Sequence, residues 1–299
     1  MLYDGEKQKE GATDMYLKTL DIHTAYTLEP AKLDLYLLDL SEKFADRERP
    51  LVLICPGGAY SYTSDREAEP VALAFSAMGY HAAVLHYSCA PAKFPAALVE
   101  LAQSVALIRS RAADWHILSD EITVCGFSAG GHLAACLGAY WKSPFLKEAA
   151  ELPAALMKPD RLLLGYPVIT AGEHCHRESI ENLLGRKAED PEERDMVSVE
   201  KHVTGDFPET FLWGTFDDGS VPVQNSLLLV STMMADVGIP CAYHLFAHGA
   251  HGLALGDWRT ESSRTHATAP EVSVWIPLAG TWLESSRKNG ENHGVSHRK

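Results

Sequence analysis

The sequence predicts an α/β fold: a mostly parallel central sheet with an antiparallel N-terminal edge and helices on both faces. Three observations carry that expectation. From residue 51 onward, short apolar runs alternate with helix-length segments, the pattern of βαβ units. The first of these runs, residues 51–55 (LVLIC), is continuously apolar and stops at Pro56-Gly57-Gly58, as a buried strand entering a turn does. Before residue 50 the pattern changes. Residues 15–24 and 31–40 (AKLDLYLLDL) show partial period-two alternation with no long helix between them, which predicts the antiparallel edge.

The elements follow in order. After 51–55, residues 67–79 (EAEPVALAFSAMG) read as a helix that stops at Gly79, where glycine commonly ends a helix. Residues 81–87 (HAAVLHY) read as the next strand. Residues 95–115 read as a long helix, because Leu98, Leu101, Val105 and Ile108 recur at steps of three and four and so share one face. Residues 121–125 (EITVC) are a strand, 129–141 (AGGHLAACLGAYW) a helix and 161–168 (RLLLGYPV) a strand. Residues 209–213 and 241–247 are two more strands with a helix near 221–237 between them, and 272–285 is a closing helix. The segment 172–207 is rich in charge and helix formers and reads as an insertion over one end of the sheet, either a candidate lid or a surface excursion. The expected organisation is one domain over 1–286 with this small insertion, then a polar, frayed tail at 287–299. No internal repeat interrupts it.

The composition suits a globular enzyme. Of 299 residues, 46% are hydrophobic and 22% charged, enough for one sizeable core. The net charge of -14 repels phosphate backbones and anionic lipid, so neither nucleic acid nor a membrane is the expected partner. The first ten residues are polar and lack an apolar signal region, and no run approaches the roughly 20 apolar residues that span a bilayer. Six cysteines occur without a C-x-x-C pair, which reads as buried thiols in a reducing, cytoplasmic setting.

The chemistry centres on Gly126-Phe127-Ser128-Ala129-Gly130, a G-x-S-x-G match. Such a match arises by chance about one time in ten in a chain of this length. Its context is what makes it specific: an apolar strand precedes it and a helix opens at it. A tight turn there exposes the Ser128 hydroxyl at the carboxyl end of the sheet, and the helix N-terminus favours developing negative charge. Serine attacks only when a base takes its proton. In this arrangement the acid and then the histidine follow on later loops. Asp217 and Asp218 follow the strand at 209–213, and His248 and His251 follow the strand at 241–247. His251, between Ala250 and Gly252, has room to reach the serine and is the favoured base. Spacing alone leaves the two aspartates open. Backbone N–H groups of Ala129 and of Gly58 and Ala59, in the loop after 51–55, are the expected oxyanion donors. Tyr60 and Tyr62 of that loop are the candidate substrate-binding residues. His174 and His176 flank Cys175 without a second cluster, so no metal is expected, and no cofactor is implied.

Several blocks together, CPGGAYSYTSDREAEPVALAFSAMGY, HYSCAP, GFSAGGHLAA, FLWGTFDDGSVPVQNSLLL and GAHGLALG, resemble the acetyl-esterase/lipase branch of the α/β-hydrolases. More narrowly, they resemble the bacterial group of feruloyl- and acetyl-xylan-esterase-like enzymes. The resemblance covers roughly 15–285 and implies the α/β-hydrolase fold. Its D-x-x-V-P pattern assigns the acid to Asp218, and it supports Ser128 and His251. Three positions depart from it: Ala59 replaces a third glycine, Gly214 replaces a histidine, and Ser88 replaces an arginine. The implied activity is serine carboxylic-ester hydrolysis of short acyl groups, acetyl foremost, on a small-molecule ester such as an acetylated sugar or xylo-oligosaccharide. A peptidase or amidase with the same triad, or a non-catalytic binding protein on the same fold, are the competing readings. Self-association into a homo-oligomer stays open. Because the base must begin neutral, activity is expected to rise with pH through about 6 to 7.

Overall fold

The computed structural model describes residues 15–294 apart from 40, 42, 45–47 and 264–266. Eight strands form one sheet: β1 (Tyr16–Ile22), β2 (Ala31–Leu37), β3 (Arg49–Cys55), β4 (His81–His86), β5 (Ile117–Phe127), β6 (Arg161–Gly165), β7 (Thr210–Thr215) and β8 (Cys241–Phe246). Their order across the sheet is β1-β2-β4-β3-β5-β6-β7-β8. The pairs β1/β2 and β2/β4 are antiparallel. From β4 to β8 every neighbour is parallel. The α/β-hydrolase architecture read from the sequence is therefore the one observed, including its antiparallel N-terminal edge.

Among the described residues nine α-helices flank the strands: α1 (Glu69–Ala77), α2 (Ala96–Ser110), α3 (Ser128–Tyr140), α4 (Pro144–Ala150), α5 (Ala154–Met157), α6 (Arg177–Leu184), α7 (Pro191–Met196), α8 (Gln224–Ser231) and α9 (Trp275–Gly294). The sheet separates two apolar cores, and β3 shows why its sequence is apolar throughout. Leu51, Leu53 and Cys55 enter one core with α2 and α3. Val52 and Ile54 enter the other with Phe75 of α1 and Trp275 of α9. A strand alternates its side chains between faces, so one covered on both sides has no polar position to spare. Trp213 and Trp275 stack in the second core with centroids 5.2 Å apart at 23°.

The segment 172–207 packs as part of the first core rather than as a surface excursion. Ile180, Leu183, Leu184, Val197 and Val199 are all buried in it. Tyr140 O–H donates to Met196 O at 2.7 Å. Several boundaries move from the sequence reading, those of β5 and α9 among them. β5 begins at Ile117, because its first half carries polar residues in a partly solvent-facing stretch. α9 continues to Gly294, into the stretch expected as a tail, of which 295–299 lie outside the described residues. All six cysteines are free. No helix among the described residues is long and apolar enough to cross a membrane.

Candidate active site

Four loops at the carboxyl ends of β3, β5, β7 and β8 converge, the usual place for ligands in an open parallel sheet. Ser128 is the junction of β5 and α3. Its φ of +51° is a left-handed conformation that costs a non-glycine residue about 1–3 kcal/mol and persists only where the surroundings impose it. The flanking glycines show what imposes it. A Cβ on Gly126 would fall 2.2 Å from Gly130 O, and one on Gly130 would fall 2.0 Å from Cys55 O. The strand end, the turn and the start of the loop after β3 are thus in backbone contact, with no room for a side chain.

His251 lies on the loop after β8. Its Nε2 is 2.9 Å from Ser128 Oγ, and its Nδ1 is 2.7 Å from Asp218 Oδ2. Asp218 Oδ1 accepts Ser220 N–H at 2.8 Å and Val221 N–H at 3.0 Å. A carboxylate with both oxygens occupied as acceptors requires the proton of a neutral ring on Nδ1, which leaves Nε2 as the acceptor for the serine hydroxyl. The Asp218 side chain is 2% exposed and that of His251 21%. The carboxylate is therefore shielded while the imidazole edge still meets solvent.

The neighbouring aspartate belongs to a different pair. Asp217 Oδ2 meets His248 Nδ1 at 2.9 Å, and its Oδ1 accepts Gly249 N–H at 2.7 Å. Both side chains of this pair are largely exposed. The His248 contact, followed by the Gly249 N–H, holds the Asp217 carboxyl below its ordinary range.

The loop after β3 is unusual in its backbone. Gly58, Ala59 and Tyr60 are consecutive residues with φ of +124°, +54° and +56°. The peptide that carries Gly58 N–H is held by its carbonyl, since Gly57 O accepts Ser64 N–H at 3.0 Å. The peptide that carries Ala59 N–H is held through Gly58 O, which accepts Ser61 N–H at 2.9 Å. Among the described residues no group accepts from Gly58 N–H or Ala59 N–H. Ala129 N–H lies in the first turn of α3, where helix geometry supplies no partner.

Tyr60 is a correction. Expected against the substrate, it is instead 3% exposed, because the left-handed run turns its side chain inward. Its O–H lies 2.8 Å from His132 Nδ1, and His132 Nε2 lies 2.7 Å from Val197 O. Burial lowers His132 to about 4, so the ring is neutral, donates from Nε2 and accepts the Tyr60 hydroxyl at Nδ1. Tyr62, by contrast, is 63% exposed. Asn182 of α6 donates to Ala59 O at 2.9 Å and ties 172–207 to this loop. Burial lowers His176, and its neighbour His251 adds to this. No group of three or more metal-ligating side chains occurs among the described residues.

One residue of the site escaped the sequence reading. Tyr166, directly after β6, sets its ring edge-on to His251, with centroids 4.9 Å apart at 69°. It looks in the sequence like the end of an apolar strand, and only the fold brings it to the histidine.

The BD-FAE family model matches residues 33–233. The chain belongs to the BD-FAE family. Solved structures resemble this BD-FAE chain over nearly their whole length. An acetyl ester-xyloside bifunctional hydrolase from Caldicellulosiruptor lactoaceticus is 33% identical, with a TM-score of 0.76 over 90% of this chain and 96% of that one. The carboxylesterase Cest-2923 from Lactobacillus plantarum WCFS1 is 30% identical, with a TM-score of 0.79 over 91% and 98%. An acetylxylan esterase of Xylanibacter ruminicola is 27% identical over 210 residues, covering 68% of this chain and 41% of that protein. The chain spans 34 to 51% of the length of the curated relatives it matches.

Proposed function

We propose that this BD-FAE protein is a serine hydrolase of carboxylic esters, with Ser128 as nucleophile, His251 as base and Asp218 as the acid that orients it. The observation that carries the reading is the unbroken line from Asp218 Oδ2 through His251 to Ser128 Oγ, at 2.7 and 2.9 Å, beside N–H donors left without protein acceptors. His251 Nε2 takes the Ser128 proton as Oγ attacks the ester carbonyl. Asp218 stabilises the imidazolium that results. The negative oxygen of the tetrahedral intermediate is held by Ala129 N–H together with Gly58 or Ala59 N–H. His251 then gives its proton to the leaving alkoxide. Water, deprotonated by the same ring, releases the acid from Ser128.

The acyl group is short, with acetyl as the first candidate, and the alcohol is a sugar hydroxyl. The names of relatives that act on acetyl esters and xylosides support this choice, and exposed Tyr62 offers a ring at the rim of the oxyanion loop. Turnover of p-nitrophenyl acetate and labelling by a fluorophosphonate, both lost in Ser128→Ala, test the reaction. Turnover retained in that variant would sink the assignment. A series of p-nitrophenyl esters of rising acyl length, acetylated xylo-oligosaccharides and peptide amides then tests the substrate. Preference for the amides would replace esterase by amidase.

A further inference from the structure

The loop that offers Gly58 and Ala59 and the loop that carries His251 are joined at one buried point. Asp65–Glu67 forms a single 3-10 turn, and two of its side chains reach both loops. Glu67 is 3% exposed. Its Oε2 accepts Gly57 N–H at 2.8 Å, and its Oε1 accepts Tyr166 O–H at 2.6 Å. The same phenol oxygen accepts Ala254 N–H at 3.0 Å, while its ring packs on His251. Arg66 donates from Nη2 to Gly252 O at 2.6 Å and from Nε to Thr260 O at 2.7 Å. Ala254 O accepts Trp275 Nε1–H at 2.8 Å. Residues immediately beyond His251 on the chain are therefore anchored to the turn that also anchors the oxyanion loop.

We infer that Glu67 is a positioning residue of the reaction, fixing through Gly57 and Tyr166 the distance between the oxyanion donors and His251. The inference rests on the serine-hydrolase reading above. No Glu67 atom is hydrogen-bonded to Ser128, Asp218 or His251, so it acts through other groups. A carboxylate buried this far is costly unless each oxygen has a donor, and here each has one from a different loop. Charge-assisted bonds of this kind are short and directional, which suits a spacer. The segments they hold are strained: Tyr166 and Ala254 have φ of +36° and +52°. Burial, then the Glu67 charge, raises the Tyr166 phenol well above its ordinary range, so it remains a donor to Glu67 at all working pH. A displacement of about 1 Å in such a framework costs about 100-fold in rate.

The test compares wild type with Glu67→Gln, Tyr166→Phe and the double variant. Glutamine keeps an acceptor for Gly57, but its amide N–H reverses the bond to Tyr166. Phenylalanine keeps the ring on His251 and removes the hydroxyl. In either single variant, kcat for p-nitrophenyl acetate is expected to fall about 10- to 100-fold with KM within about twofold. The second-order rate of fluorophosphonate labelling should slow by a similar factor. The double variant should be no worse than roughly the weaker single, since both break one joint. Rates are taken per labelled site at the endpoint, so loss of folded protein does not enter them. Single variants with wild-type kcat per site, or losses that multiply in the double variant, overturn the inference while Ser128→Ala still abolishes turnover. A wild-type chain that neither turns over esters nor takes the label overturns the serine-hydrolase reading and the inference together.

Discussion

Replacing Glu100 by glutamine isolates a carboxyl that the fold buries with only neutral company. Glu100 lies on α2 and is fully buried. Its two oxygens accept from Ser88 alone, N–H at 2.7 Å and Oγ–H at 2.5 Å, at the position where the family resemblance expects arginine. Burial outweighs these donors and raises the carboxyl from 4.5 to about 7. The sign follows from proton binding. Between those two values the folded protein holds a proton that the unfolded chain has released, so this contribution is fully present below pH 4.5 and is lost as pH rises toward 7. At about 1.4 kcal/mol per pH unit, the loss reaches on the order of 3 kcal/mol above pH 7. Glutamine cannot ionise, and it retains an acceptor for Ser88. Urea unfolding of both proteins at pH 5 and pH 8 measures the difference. Glu100→Gln should gain roughly 2 to 3 kcal/mol on wild type between the two conditions. Parallel pH profiles in the two proteins would refute the reasoning, because Glu100 would then be ionised in the folded state.

Two further substitutions separate groups that look alike in the sequence. Asp218→Asn removes the acceptor that fixes the His251 ring and should lower kcat for p-nitrophenyl acetate about 10⁴-fold. Asp217→Asn disturbs the exposed pair with His248 and the bond from Gly249 N–H, neither of which touches Ser128, and should change kcat less than about threefold; equal losses in the two would invert the assignment. Gly130→Ala forces a methyl group into the 2.0 Å gap at Cys55 O. Overpacking of this kind costs about 1–3 kcal/mol, so thermal unfolding should fall by roughly 2–5 °C. Fluorophosphonate labelling should fall with it, since α3 and the oxyanion loop must part, and an unchanged melting temperature would show that the backbone yields there without cost.

Much of the fold was legible because both faces of the sheet are covered. The apolar run of β3 and the period of α2 each reported burial locally, and the antiparallel edge announced itself through alternation. The turn at Ser128 between β5 and α3 was legible because five consecutive residues carry it. Distances across the chain were not. Asp217 and Asp218 are adjacent and equivalent in spacing, and only the fold sends one to His251 and the other to His248. Tyr60 read as a cleft residue, because nothing in Ala59-Tyr60 reveals two non-glycine residues in left-handed conformation. Glu67 and Tyr166 are 99 residues apart, and each has an ordinary local explanation as part of a helix start and a strand end. The short helices α4 and α5 were missed for want of length, although Ser143 caps the first of them by accepting Leu146 N–H at 3.1 Å, a signal present in Ser143-Pro144.

The order of the strands has a consequence for how the protein is made. Ser128 leaves the ribosome 123 residues before His251, and its acid partner also comes later. At roughly 5–20 residues per second, the elbow waits on the order of ten seconds for its base. During that interval β7 and β8, which carry both partners, have yet to join their edge of the sheet. On the proposed mechanism, a chain that ends before β8 lacks His251 and does no chemistry, and hydrolysis of an ester would report that the last strand has docked.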